Sequence, residues 1–285
     1  MTAVVLALTS SLCYGIADFL GGLASRRVSA VGVAAATQAI GIAVFVLVFP
    51  FFPGRLHFAD IAWGAGSGIA YSGGIVLFYT ALARSRMAIV SPIAAVVGAS
   101  VPVLFGYVVG ERPAFIASTG VGLALLAVAL LSADTTDEGR MTVRDPGIAP
   151  ALGSGVGFGL SLLLLSRTSH ETGLWALSAA EVSAMVGIGI WAATHPAPFR
   201  PDRPLWGLIG LAGVLGTGGA VLFVLALRLG VLPVVAVLIS LYPLSTILLA
   251  SVFLRERLSP IQWAGVLCAV SGTALIATGS YLPLR

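Results

Sequence analysis

Two carboxylates stand where charge is expensive. Asp18 falls inside the apolar run Ala3–Ala24, and Glu181 inside Leu174–Ala193. An ionised side chain at the centre of a bilayer-spanning helix costs roughly 2.5–3.5 kcal/mol on insertion scales. A carboxyl so placed either exchanges protons, pairs with the amino group of a small molecule, or is tied to a neighbour. For Asp18 the plainer reading is a wet helix end or a pair with Arg26 or Arg27. For Glu181 it is a structural hydrogen bond to an adjacent helix. Gln38 belongs with them: the offset that carries Trp63 to Trp206 (206 less 63, or 143) carries Gln38 to Glu181. Two halves of the chain thus set a polar group at one shared position, aimed at a central cavity.

Prolines and tyrosines complete the set. Pro92 and Pro102 interrupt the run Ala88–Val109, and Pro243 interrupts Pro233–Leu254. Each removes a backbone donor and frees a carbonyl one turn earlier, which lipid tolerates only beside a cavity, water or a polar neighbour. These are hinge or kink candidates, with Ser240 and Tyr242 beside Pro243 as candidates to face a substrate. Tyr71 and Tyr79, eight residues apart, share roughly one helix face and are cavity candidates. Tyr107 and Tyr281 lie near run ends, where interfacial tyrosines are common. Glu111-Arg112 and Glu256-Arg257 close two of the runs. They read as helix-end anchors with snorkelled arginines, or as charge pairs gating two mouths.

Other chemistry lacks its residues. His57, His170 and His195 fall between the runs without metal-ligand spacing. A phosphate-binding GxxxxGK[ST] loop needs a lysine, and the chain has none. No serine–histidine arrangement lies within a run, so no catalytic residue, metal or cofactor is expected and the chain is not read as an enzyme. Cys13 and Cys268 lie in apolar runs as small apolar side chains. The net charge of +4 is all arginine, dispersed over run ends, which speaks against nucleic acid.

The runs that must position these residues dominate the composition. Apolar residues make up 58% and charged residues 9%, against roughly 25% charged in a soluble domain. The chain reads as an all-α polytopic membrane protein in the cell (inner or cytoplasmic) membrane, with the bilayer as its permanent partner. About ten spans follow: Ala3–Ala24, Val31–Phe51, Ile61–Ala83, Ala88–Val109, Phe115–Ser132, Ile148–Leu165, Leu174–Ala193, Leu205–Leu227, Pro233–Leu254 and Ile261–Leu282. The first lacks a basic segment before it and reads as a retained helix. A shift of 145 residues (256 less 111) lays Glu256-Arg257 on Glu111-Arg112, Leu222-Phe223 on Leu77-Phe78, Ala226-Leu227 on Ala81-Leu82 and Gly265 on Gly120. The units are 1–133 and 147–285, joined by a polar linker, 134–146. Five spans per unit is odd, so the second unit enters the bilayer upside down. The fold expected is two inverted five-helix repeats around a central cavity, a construction typical of secondary transporters.

Ala226-Leu227-Arg228, then Pro243, Glu256-Arg257 and Gly265, in that order, resemble the drug/metabolite transporter superfamily, EamA type. Tyr14-Gly15 stands where that family often has Trp-Gly, and Phe158-Gly159 is its echo. The resemblance covers nearly the whole chain. It implies export of amino acids, related metabolites or drugs by alternating access, the two units rocking about a midplane cavity. It also implies cytoplasmic termini. The arginines disagree: Arg26, Arg27, Arg84, Arg86, Arg140, Arg144, Arg200, Arg203, Arg255 and Arg257 fall on the face opposite the termini, which the positive-inside rule would make cytoplasmic. Gln38 stands in a helix where the family often has arginine, so substrates of relatives with that arginine do not carry over. The partners expected are a small-molecule substrate and, for coupling, protons through Asp18 or Glu181. Other classes the residues leave open are a membrane-embedded enzyme acting on a lipid-linked substrate and a receptor or scaffold.

Overall fold

A computed structural model describes residues 2–51, 54–108, 115–132, 145–172, 174–229, 235, 238–239 and 241–279. Among these the secondary structure is helical, with no strand. The first half holds α1 (Thr2–Ser25), α2 (Ala30–Val48), α3 (Phe58–Arg84), α4 (Met87–Val108) and α5 (Phe115–Ser132). The second holds α6 (Ile148–Leu165), α7 (Trp175–Thr194), α8 (Arg203–Leu229), α9 (Tyr242–Phe253) and α10 (Pro260–Gly279). Eight of these contain stretches long and apolar enough to cross a membrane; the described parts of α5 and α9 are apolar but shorter.

The helices start where polar side chains catch free amides. Ser29 accepts from Gly32 N at the start of α2, and Asp202 from Leu205 N at the start of α8. Ser259 and Gln262 bond each other's backbone N–H reciprocally at the start of α10, a capping box. Outward-facing side chains are apolar: Leu47, Leu125, Val182, Ile190, Val252 and Leu267 are each more than half exposed. A helix apolar on every side is suited to lipid on one face and protein on the other.

Closest packing lies between the halves, not within them. α5 runs along α10, α1 along α8, α3 along both α6 and α7, and α4 along α6. Exchanging the halves turns α1–α8 into α6–α3, α3–α7 into α8–α2, and α4–α6 into α9–α1, all of which are also packed. The exchange is visible residue by residue. A Cβ on Gly68 would strike the Ala180 carbonyl, and one on Gly213 would lie 2.8 Å from the Thr37 carbonyl. Gly74 meets Phe158 as Gly219 meets Tyr14.

Direction follows from the pair α5 and α10, which are equivalent helices of the two repeats. Ala117 lies against Gly279, Gly120 against Gly272 and Ile276, and Leu131 against Gly265. One residue number rises as the other falls, so the two helices are antiparallel. Repeats related by an axis along the membrane normal would set them parallel; the repeats are inverted.

Most span boundaries move by one to three residues, and two of the shifts change a residue's role. The third helix begins at Phe58 rather than Ile61, which draws Asp60 into its first turn and buries it. Its carboxylate accepts from Ser169 N at 3.0 Å and from the Ser169 hydroxyl at 2.5 Å, so the polar side chain that ends a hydropathy run is satisfied by a loop. In the ninth span, Leu241 N bonds Leu238 O at 3.4 Å and the described helix starts at Tyr242. Pro243 therefore occupies a first turn, where its missing N–H costs nothing. Glu111, Arg112, Ser240 and Tyr281 lie outside the described residues.

Gly68 separates steric from intrinsic effects. Gly68→Ala forces a methyl against the Ala180 backbone and should destabilise the protein by about 1–3 kcal/mol. Gly73 has open space around it, so Gly73→Ala should leave stability unchanged or raise it by about 0.5–1 kcal/mol. Thermal unfolding of both variants in detergent checks the contrast.

Candidate functional site

Where the cross-packed helices diverge they leave a hollow of about 460 Å³. α1 turns Tyr14, Ala17 and Asp18 towards it, one face by the i, i+3, i+4 rule. α3 contributes Ser67, Tyr71, Ile75, Phe78 and Tyr79 on the same principle. Thr37, Gln38 and Gly41 come from α2, Phe158, Ser161, Leu162 and Leu165 from α6, and Leu177, Ala180, Glu181 and Ala184 from α7. The wall from α8 is built of small residues, Ala212, Gly213, Gly216, Thr217 and Ala220, and Tyr242 closes the ring from α9.

Glu181 and Gln38 meet directly: the Gln38 amide donates to the Glu181 carboxylate, and lies 3.5 Å from its carbonyl oxygen. They are equivalent positions on α2 and α7, helices that the twofold exchange maps onto each other. Beside Glu181 a second space of about 10 Å³, lined also by Phe45, Leu174 and Val221, has room for about one water. Asp18 makes no hydrogen bond or ion pair with any described residue. Ser67 donates to Ser161 O at 2.9 Å, with the two hydroxyls 2.8 Å apart, tying α3 to α6. The rings form two groups. Tyr14 meets Tyr242 edge to face at 6.5 Å, Tyr71 and Phe78 each lie 5.6 Å from Phe158, and Phe78 lies 6.2 Å from Tyr79.

Asp18, Gln38, Tyr71, Tyr79, Glu181 and Tyr242 thus share one cavity wall. Pro92 and Pro102 do not reach it: they lie inside α4, which contributes no residue to the wall. Pro243 adjoins Tyr242 at the wall's edge. Tyr107 is exposed at the end of α4 and bonds Ser118, as an interfacial residue would. Not foreseen were Thr37, Ser67, Ser161 and Thr217. Ser67 stands one turn before Tyr71 on the face it shares with Ile75 and Tyr79, but its type alone does not mark it out.

The two ends of the hollow differ. Its wall on α6 continues to Leu165, the last residue of that helix, and on α7 it begins at Leu177, near the first. It therefore opens towards the face that carries the start of α1. Towards the other face its deepest residues are Asp18 and Tyr79, and beyond them the chain is packed. A Cβ on Gly22 would meet Leu82 and Met87 at 2.9 Å, and Phe19 lies against Phe253 at 5.9 Å.

A polar latch lies outside that packing. Arg26 pairs with Glu256 at 2.9 Å and donates to the carbonyls of Leu82 and Ser85. The same carboxylate accepts from Met87 N at 3.2 Å and Ala88 N at 3.0 Å, the free amides that begin α4. Ser85 donates to Asp145 at 2.6 Å, joining the start of the second half. Arg255, at φ 55°, takes the left-handed conformation that costs a side-chain-bearing residue roughly 1–2 kcal/mol. That turn carries Glu256 back towards α4. One carboxylate thus joins the ends of α1, α4 and α9 at the closed face.

Inverted helical repeats around a midplane hollow, open at one face and closed at the other, define a membrane transporter of small molecules. The sequence matches the model of the EamA-like transporter family over residues 1–133 and again over 145–278. The chain belongs to that family. Among curated proteins, a search finds no match to this sequence. A solved structure described only as the crystal structure of a protein superposes with a TM-score of 0.61 at 16% identity, covering 96% of this chain and 95% of its own. At that identity the likeness speaks for the fold alone.

Glu256→Ala should release the first turn of α4. Amide exchange at Met87 and Ala88 should accelerate at least tenfold, the equivalent of about 1.4 kcal/mol, while amides in the middle of α10 keep their rates. Hydrogen–deuterium exchange read by mass spectrometry in detergent checks this.

Proposed function

We propose that the protein is a secondary transporter exporting amine-bearing small metabolites, amino acids and their relatives, by alternating access. The observation that carries this reading is the midplane hollow with Asp18 and Glu181 in its wall, open at one face and latched at the other. A carboxylate there can hold a substrate ammonium group in one half of the cycle and a proton in the other. Substrate leaves in one direction as a proton returns.

Two bodies carry the motion. One gathers α1, α2, α8 and α9, the other α3, α4, α6 and α7, since these are the sets that pack most closely. Each mixes helices of the units 1–133 and 147–285, with 134–146 as the link, and α5 with α10 forms the pivot. Rocking one body against the other parts Arg26 from Glu256 and closes the mouth near Leu165 and Leu177. With cytoplasmic termini, as the family resemblance implies, the open face is the one from which an exporter loads in the inner membrane.

Reconstitution tests this. The purified chain in liposomes should move labelled amino acids or their amine relatives, faster under an imposed pH gradient. Asp18→Asn and Glu181→Gln should each cut that flux at least tenfold and abolish its response to the gradient. Gradient-dependent flux surviving in both variants would remove the proton from the mechanism, and absence of flux for every compound would remove the transporter.

A further inference from the structure

The charge inventory of the hollow narrows its ligand further than its size does. We infer that it selects organic cations, amines or quaternary ammonium compounds without a carboxylate, over zwitterionic amino acids; this rests on the transport reading above.

Asp18 and Glu181 are the charged residues among the described lining positions, with no arginine or histidine beside them. The chain has no lysine. Two arginines at the ends of the hollow are otherwise engaged: Arg26 sits in the latch at the closed face, and exposed Arg167, just past the end of α6, lies over the Phe105 ring, 5.8 Å from its centroid. A ligand carboxylate entering here would lose its hydration beside two acidic side chains, with no cationic group among the described lining residues to pair with it.

The other source of positive potential is the start of α9 at Tyr242, since a helix N-terminus attracts anions. It offers little. Pro243 has no N–H, and the amides of Leu241 and Leu244 are turned to the carbonyls of Leu238 and Leu241. Among the described residues, that leaves the Tyr242 amide at that end.

For a cation the same wall is well furnished. Asp18 has no hydrogen-bond or ion-pair partner among the described residues, and Gln38 holds Glu181 in place without neutralising it. A cation over a tyrosine face is attracted by the ring itself. Tyr14, Tyr71, Tyr79 and Tyr242 line the same wall as both carboxyls. The carboxyls sit at two levels, Asp18 at the closed end and Glu181 one turn along α7 from Leu177 at the mouth. A diamine bridges the levels, and an arylalkyl amine sets its nitrogen on one and its ring on Phe158.

Matched pairs that differ only by a carboxylate decide the matter: phenethylamine against phenylalanine, and 1,5-diaminopentane against lysine. Each is measured twice, by uptake into proteoliposomes and by thermal stabilisation of the protein in detergent. In both assays the amine of each pair should act at a concentration at least 100-fold lower than its amino acid. Asp18→Asn should shrink that ratio, and Asp18→Glu should restore it. Equal or better action of the amino acids overturns the substrate class while leaving transport intact. Stabilisation by amines without uptake of any compound overturns transport while leaving the selectivity. Neither uptake nor stabilisation by any of the four overturns both.

Discussion

Close approach of helices from opposite halves is the constraint on which the rest depends. Between apolar helices in lipid there is no hydrophobic pull, so contact comes from van der Waals packing and interhelical hydrogen bonds, which favour small residues at the seam. Gly64 and Gly68 let α3 reach the carbonyls of Ala176 and Ala180, Gly155 and Gly159 do the same for α6 against α4, and Gly120 with Gly272 closes α5 on α10. Hydroxyls then stitch the seams to backbone oxygens, Ser10 to Gly219, Ser183 to Ala65 and Thr246 to Gly15. Straight helices that touch so closely at one level must part at another. The hollow is the place where they part.

That parting also decides which polar groups are tolerable. Asp18 and Glu181 would be costly against lipid, yet both face a space large enough for water and ligand. Gln38 supplies the donor that Glu181 needs, from the position that the twofold exchange relates to it. The closed end shows a complementary division. A tightly packed apolar layer around Leu82, Met87 and Ile89 excludes water, while the Arg26–Glu256 pair outside it can be replaced by hydration when the helix ends separate. A barrier of packing alone has no such polar release, and a barrier of charge alone leaks.

Much of this was legible in the residues. Asp18, Glu181 and Gln38 are conspicuous because their surroundings are apolar, and Tyr71 and Tyr79 because helical spacing puts them on one face. Ser67, Ser161, Thr37 and Thr217 were not legible. A serine or threonine in such a helix can satisfy itself on the carbonyl three or four residues back, as Thr37 does on Val33 and Ala34, so its type says nothing about a neighbour. Asp60 was missed for a related reason: a carboxylate at a run's edge reads as its boundary unless the loop that buries it is known. The prolines of α4 resemble pathway residues by composition, but only packing reveals that α4 is set behind the wall.

From the order of its residues this chain is committed to helices, a bilayer, duplication and inversion, because apolar run length and an odd span count leave little else. The family follows from the same order. Tertiary structure alone decided that the halves interlock rather than sit side by side, that the hollow is open at one face, and that Glu256 bonds Arg26 and the start of α4. Those outcomes depend on which helix lies against which, and an apolar helix surface carries almost no address for its neighbour beyond the small residues where backbones touch.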